Sequence, residues 1–270
     1  KGGVGKTTTT VNLAACLAEL GKRVLVVDMD PQANASIGFG VNTRELENTT
    51  YDLLLSKAKF EDVLVRLKDN LHLIPSSIDL SGAEVELVGM IGRENVLRDA
   101  LSGVSGYDFI LMDCPPSLGL LNINALSCAR EVFIPLQCEF FALQGIGLLM
   151  NTIELVQKRI NPALTVGGVI ACMFDNRKGL SAEVLGEIKK HFGGKLFQTR
   201  IRNNVRLAEA PSFGQSIIDY APTSYGAEDY RALAREVVGD TVEIPVDSEK
   251  NVRSAVKKTP EPVVSAVADL

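Results

Sequence analysis

The chain opens Lys1-Gly2-Gly3-Val4-Gly5-Lys6-Thr7-Thr8, a glycine-rich turn that runs straight into an amphipathic helix. Gly2, Gly3 and Gly5 lack the Cβ that would hinder successive backbone N–H groups from curling around an anion, and a helix N-terminus behind them adds partial positive charge. Lys6 supplies a point charge for β- and γ-phosphates, and Thr7 puts a hydroxyl where such a loop binds Mg²⁺. Glycine-rich turns also serve as plain connectors, but Gly-Lys-Thr opening an apolar-periodic helix is far more specific than scattered glycines. The stretch therefore reads as a P-loop.

The general P-loop pattern asks for a further glycine five residues before Gly5, ahead of the first residue, and for a β-strand that lifts the loop. The sequence also begins without Met. The expectation is an N-terminal truncation that removes at least one strand, roughly 5 to 10 residues.

Outward from the loop, Val11, Leu13, Ala14, Leu17, Ala18 and Leu20 form a helical stripe over Thr7 to Leu20, and Gly21 stands ready to stop it. Arg23 to Asp28 is a short continuous apolar run, the mark of a strand buried on both faces of a parallel sheet. Asp28-Met29-Asp30-Pro31 follows at its carboxyl end, where open α/β sheets build ligand crevices. Tyr107 to Asp113 repeats the buried-strand pattern and ends in Asp113-Cys114-Pro115-Pro116, the form of a Walker B strand that delivers one carboxylate beside Mg²⁺. Leu71 to Pro75, Val132 to Leu136, Val166 to Phe174 and Lys195 to Thr199 are further strand candidates, with Ser216 to Asp219 as a last one. Helical patterns cover two short pieces in Thr49 to Lys68, then Ala83 to Leu101, Gly145 to Arg159, Leu180 to Phe192 and Gly226 to Val238.

This alternation predicts an α/β P-loop NTPase fold: a mostly parallel, doubly wound sheet flanked by helices on both faces, its first strand truncated. One ATPase domain spans 1–239. Residues 240–270 are rich in Pro, Val, Ser and charge without sustained periodicity, and read as a mostly disordered tail.

Bulk composition narrows the function. At 270 residues, 46% hydrophobic and 23% charged, the chain has the make-up of an ordinary globular protein. Five widely spaced cysteines with no C-x-x-C pair point to reduced buried thiols in a cytoplasmic protein. Only His72 and His191 are present, which disfavours a histidine zinc site or His-driven acid–base chemistry. A net charge of −5 argues against indiscriminate polyanion binding, yet permits a local basic face.

Taken in order, KGGVGKTT, VLVVDMDPQAN, ILMDCPPSLGLLNINAL, PLQCEFFALQG and NVRLAEAPSFG resemble the deviant Walker A ATPases of the ParA/Soj type, with MinD as a cousin, and the resemblance runs from Lys1 to about Val238. It implies roles residue by residue. The loop from Lys1 through Gly2, Gly3, Val4, Gly5, Lys6, Thr7 and Thr8 would bind ATP, with Thr7 and Asp113 on Mg²⁺. Lys1 matches the signature lysine that reaches across a nucleotide sandwich dimer to the partner's phosphates, as an arginine finger does elsewhere. Asp30 matches the switch I aspartate that positions the attacking water, making Lys1, Lys6 and Asp30 the catalytic set. Asp28 either supports the metal from behind or caps its own turn.

The same resemblance implies a homodimer when ATP is bound, a ParB-like activator, nucleoid association and non-specific DNA binding. Lys189, Lys190, Lys195, Arg200, Arg202 and Arg206 cluster against Glu187 and Glu209, with Arg202 and Arg206 the DNA-contact candidates; the alternative is a solvated charged face. Two family positions depart: Ile201-Arg202-Asn203-Asn204 stands in place of I-P-R-N, and Thr223-Ser224-Tyr225 in place of a basic run. A MinD-like membrane-associated positioning ATPase is the alternative function. It calls for a C-terminal amphipathic helix, whereas Lys257-Lys258 is followed by Thr259-Pro260-Glu261-Pro262, so no membrane contact is expected. An iron–sulfur reductase would need glycine-framed cysteines, which Cys114 and Cys138 are not.

Overall fold

A computed structural model describes residues 3–139, 142–175, 179–240 and 263–267. Helix α1 (Lys6–Glu19) leaves the glycine loop and leads to β1 (Val24–Asp28). Short helices α2 (Asn34–Gly38), α3 (Thr50–Leu54) and α4 (Phe60–Val63) precede β2 (Val65–Lys68) and β3 (Leu71–Ile74). Helices α5 (Leu80–Val88) and α6 (Val96–Ala100) come before β4 (Phe109–Asp113), and α7 (Leu120–Cys128) connects it to β5 (Glu131–Gln137). The alternation continues through α8 (Ala142–Arg159), β6 (Thr165–Phe174), α9 (Gly179–Phe192) and β7 (Leu196–Arg202). Helices α10 (Val205–Glu209), α11 (Ile217–Tyr220) and α12 (Tyr225–Val237) follow, and β8 (Val263–Val267) is the last described element.

The strands form one sheet in the order β2-β3-β1-β4-β8-β5-β6-β7. Among them only β2 runs antiparallel, against β3 at one edge. Successive side chains of a strand point to opposite faces, and the core divides accordingly. Val24, Val26, Phe109 and Leu111 pack with Leu13 and Leu17 of α1 and Tyr230 and Leu233 of α12. Leu25, Val27, Ile110 and Met112 pack on the other side with Leu97, Leu121, Ala125 and Ile153. Leu13 and Leu17 are fully buried, and burying each stabilises by about 1.5–3 kcal/mol. Helix α1 is thus held by packing more than by propensity.

Register then places the chemistry. Asp28 pairs with Asp113 across the β1–β4 ladder, and each has the parity of its strand's α1-facing residues. Both carboxylates emerge at the carboxyl end of the sheet beneath the start of α1.

Four segments differ from the sequence expectation. Val65–Lys68 is an edge strand rather than helix, because its alternating half-buried and exposed residues pair with β3. The helix expected over Ala83 to Leu101 is broken between Val88 and Val96, where Gly92 takes a left-handed φ of 70°. Ser216 to Asp219 is not a strand: the Ile217 N–H donates to Asn12 Oδ1 on α1 (2.6 Å) and Ser216 Oγ to Asp219 (2.6 Å), closing a helical turn. Within the expected disordered tail, Val263–Val267 is a central strand hydrogen-bonded between β4 and β5. The rest of that tail, 241–262 and 268–270, lies outside the described residues. No helix among the described residues is long and apolar enough to cross a membrane.

The position of β8 makes a stability prediction. Ala266 is fully buried between its two neighbours, so Ala266→Asp would bury an unpaired carboxylate and destabilise by about 3 kcal/mol or more. Urea unfolding of the variant and the parent measures it; an unchanged midpoint would place residues 263–267 outside the sheet.

Candidate functional site

The phosphate loop has the backbone that its glycines allow. Gly3 and Gly5 adopt φ of 88° and 100°, a region that side chains disfavour. Gly5 is the N-cap of α1, with no side chain capping the helix, so the first N–H groups of α1 remain available to an anion. Val4 is buried and anchors the loop, Lys6 is 7% exposed, and Thr7 and Thr8 are half-buried. Lys1 and Gly2 lie outside the described residues.

The loop meets the strand carboxylates through hydroxyls. Thr7 Oγ1 donates to Asp113 Oδ2 (2.8 Å), and the Thr10 hydroxyl lies 3.2 Å from Asp113 Oδ1. Asp28 accepts from the Ser36 N–H (2.8 Å), the Ser36 hydroxyl (2.7 Å) and the Asp30 N–H (3.2 Å). It therefore caps its own turn and also stands beside Asp113. Asp30 is buried and accepts from the Gln32 N–H (2.9 Å), in a turn that closes with Ala33 at φ 54°.

Two fully buried carboxylates side by side are costly when ionised. Burial first, and then repulsion from Asp28, push Asp113 up to about 8, against the opposing pull of Thr7 and Lys6. Burial likewise raises Asp28 to about 6, although Ser36 opposes it. A hard divalent cation beside them would offset that cost. Among the described residues no group of three or more His, Cys, Asp or Glu could cage a metal alone. One carboxylate plus one threonine hydroxyl beside a phosphate cradle is instead the donor set of Mg²⁺ shared with a nucleotide, and the residues fit it.

A cavity of about 350 Å³ runs along the loop. Gly3, Gly5, Lys6, Thr7 and Thr8 line it together with Asn34, Ile37 and Gly38 and with Met173, Ala210, Pro211 and Gln215. A second cavity of about 130 Å³ continues past Gly5 and Thr8 to Met173, Arg202, Asn203 and Asn204. Met173 takes φ 52°, a conformation sparsely populated for a residue with a side chain, at the end of β6 where the two cavities meet.

Sequence reasoning missed several of these residues. Thr10 carried a signal, since it lies one helical turn after Thr7 on the same face. Ser36 and Met173 had none, because their roles depend on how α2 and the end of β6 pack. Arg202 and Arg206 are not brought to the phosphate loop's floor. Arg202 donates to Asp229 (2.7 Å) and Glu228 (3.1 Å) and stacks over Tyr225, and Arg206 donates to Glu209 (2.9 Å). Lys189 and Arg200 are exposed along a groove between α9, β7 and α12.

Comparison with known proteins agrees with this geometry. A family described as "AAA domain" matches residues 1–166. The chain is 52% identical over 242 residues to the sporulation initiation inhibitor protein Soj of Bacillus subtilis, covering 89% of this chain and 96% of that protein. It is 52% identical over 240 residues to the chromosome-partitioning ATPase Soj of Treponema pallidum, covering 88% and 94%. Among solved structures, a cobyrinic acid a,c-diamide synthase from Mycobacterium smegmatis with bound ADP and magnesium superposes with a TM-score of 0.78 at 35% identity, covering 88% of this chain and 90% of that one.

The raised carboxylates set a pH dependence for protein free of nucleotide and Mg²⁺. The folded state holds protons that the unfolded chain has lost above about pH 4. Stability is therefore greatest at the acid end and falls as pH rises through about 6 and then about 8, as Asp28 and Asp113 ionise. Urea midpoints measured from pH 5 to 8 should decline, and Asp113→Asn should flatten the decline. A steeper decline in the variant would contradict this account.

Proposed function

This chain belongs to the ParA/Soj/MinD family of P-loop ATPases, in its chromosome- and plasmid-partitioning branch, and we propose that it is a dimerising ATPase whose ATP-bound form holds DNA. The observation that carries the reading is the hydrogen bond from Thr7 to Asp113 beneath a left-handed glycine cradle, with Lys6 buried alongside. It joins the phosphate loop to the strand carboxylate at the place where a nucleotide-bound cation needs both.

In this reading the N–H groups of the loop and the start of α1 bind the β- and γ-phosphates, and Lys6 neutralises charge on the transferring phosphoryl group. Thr7 and Asp113 would hold Mg²⁺, which would supply Lewis-acid neutralisation of phosphate charge. Asp30, fixed by the Gln32 N–H, orients the attacking water. Lys1 reaches the phosphates of a second subunit, so hydrolysis waits for the dimer, and hydrolysis then weakens the dimer. A ParB-like activator accelerates that step. The cytoplasm and nucleoid are the setting.

Non-specific DNA contact is assigned to the basic edge of α9 and β7, where Lys189, Lys190, Lys195 and Arg200 are exposed. Arg200 stacks over Phe174 with its guanidinium 4.8 Å from the ring centre. Arg202 and Arg206 contribute positive potential from the same region, each already tied to carboxylates. Such contacts are sequence-independent and weaken steeply with salt.

Three variants separate these roles. Lys6→Ala should abolish ATP-dependent dimerisation, read by size-exclusion chromatography. Asp30→Ala should bind ATP and form dimers that persist; hydrolysis at the parental rate would remove Asp30 from the mechanism. Lys195→Glu with Arg200→Glu should weaken ATP-dependent gel shifts of unrelated DNA fragments at least about tenfold at low salt. Binding that is absent in the parent, or insensitive to salt, would sink the DNA assignment.

A further inference from the structure

Strand β8 stands directly beside the strand that delivers Asp113. It pairs with β4 in parallel over its whole length, from Phe109 beside Val263 to Asp113 beside Val267, and with β5 from Glu131 beside Ser265 to Phe133 beside Val267. Together with the β1–β4 register this sets Asp28, Asp113, Val267 and Phe133 in one row across four adjacent strands. Residues in register project to the same face of a sheet. Here that face carries α1, for Val267 and Phe133 share a buried cluster with Leu13 and Leu17.

The row is half charged and half apolar. Asp113 has the Asp28 carboxylate on one side and Val267 on the other, with Phe133 behind it, and both of these apolar residues are buried. Neither can donate a hydrogen bond. The side-chain donors that Asp113 does have, Thr7 and Thr10, come from α1. Val267 thus fills the β5 side of the carboxylate with hydrocarbon, and its carbonyl accepts the Cys114 N–H (3.4 Å) in the turn that leaves Asp113. Helix α1 lies against β4, β5 and β8 alike. Adjacent strands sit about 4.8 Å apart, so without β8 that helix would bridge a gap one strand wide.

The strand is held without being a continuation of either neighbour. The described residue that precedes it in sequence is Asp240, just beyond the end of α12. Ladder bonds such as that from the Arg130 N–H to the Val264 carbonyl (2.7 Å) seat it. Its Ser265 hydroxyl is buried with no hydrogen-bond partner among the described residues, a cost that works against the seat.

We propose that β8 is a positioning element of the phosphate site: Val267 supports Asp113 and α1 from the β5 side, so seating of this strand and binding of nucleotide with Mg²⁺ strengthen each other. The coupling is reciprocal, because a ligand held by α1 and Asp113 favours the arrangement in which β8 is seated, and an unseated β8 leaves both without support. The chain thereby gains a control on nucleotide affinity far in sequence from the loop. This inference rests on the nucleotide-binding reading above.

A fluorescent, non-hydrolysable ATP analogue titrated onto the full chain with Mg²⁺ tests it. Val267→Ala should weaken binding about tenfold and raise the Mg²⁺ concentration needed for half-maximal binding, and Val267→Ile should restore both. Val264→Ala alters the same strand on its opposite face, where Val264 packs against Leu25 and Ile110 in the other cluster. It should lower the urea midpoint as Val267→Ala does, yet leave nucleotide affinity within about twofold of the parent. Amide hydrogen exchange on the unsubstituted chain gives a second readout: analogue at about ten times its Kd should slow exchange at residues 263–267 up to about tenfold. Parental affinity in Val267→Ala, an equal loss in Val264→Ala, or exchange at 263–267 that the analogue leaves unchanged would each overturn the positioning role while nucleotide binding stands. A parent that binds no nucleotide at any Mg²⁺ concentration would instead refute the nucleotide reading, and the coupling with it.

Discussion

Asp113 and Asp28 are neighbours in a parallel ladder, both with no exposure to solvent. Two carboxylates in that position repel each other and resist ionisation, and much of the surrounding structure answers that constraint. Hydroxyls from Thr7 and Thr10 turn toward one, and Ser36 and the Asp30 N–H toward the other. These bonds place α1 over the strand ends and fold the loop after β1 back across them. They oppose the effect of burial without cancelling it, and burial still raises both groups, with repulsion from Asp28 adding to it at Asp113.

The same constraint explains which parts could be read from sequence. The glycine loop, the VLVVD and FILMD strands and their terminal aspartates are local patterns, and each has a physical reason confined to a few residues. The mostly parallel sheet with helices on both faces follows from their alternation with helices. What escaped reading depended on distant partners. Val65–Lys68 is a strand because β3 lies beside it, and the segment before α12 is helical because Asn12 takes the Ile217 N–H. Val263–Val267 looked like part of a featureless tail, since five residues of V-V-S-A-V carry no period long enough to distinguish strand from coil; only the slot between β4 and β5 makes it one.

Charge reading met a similar limit. Counting lysines and arginines located a basic region in an acidic chain, but it did not reveal which were already engaged. Arg202, with its fork on Asp229 and its plane over Tyr225, ties the end of β7 to α12. Such a bidentate pair with a largely buried carboxylate favours an architectural part over a surface contact. Lys189 and Arg200 lie exposed along the groove beside this tie.

Helix α5 shows how surface and site are connected. Its buried residues fix its position on the sheet, and the segment leading into it is bonded through Ser76 and Ser36 to Asp28. Its Glu84 rests on the turn beyond Asp113. Any shift of those loops on binding a cation must therefore be taken up by α5 or resisted by it.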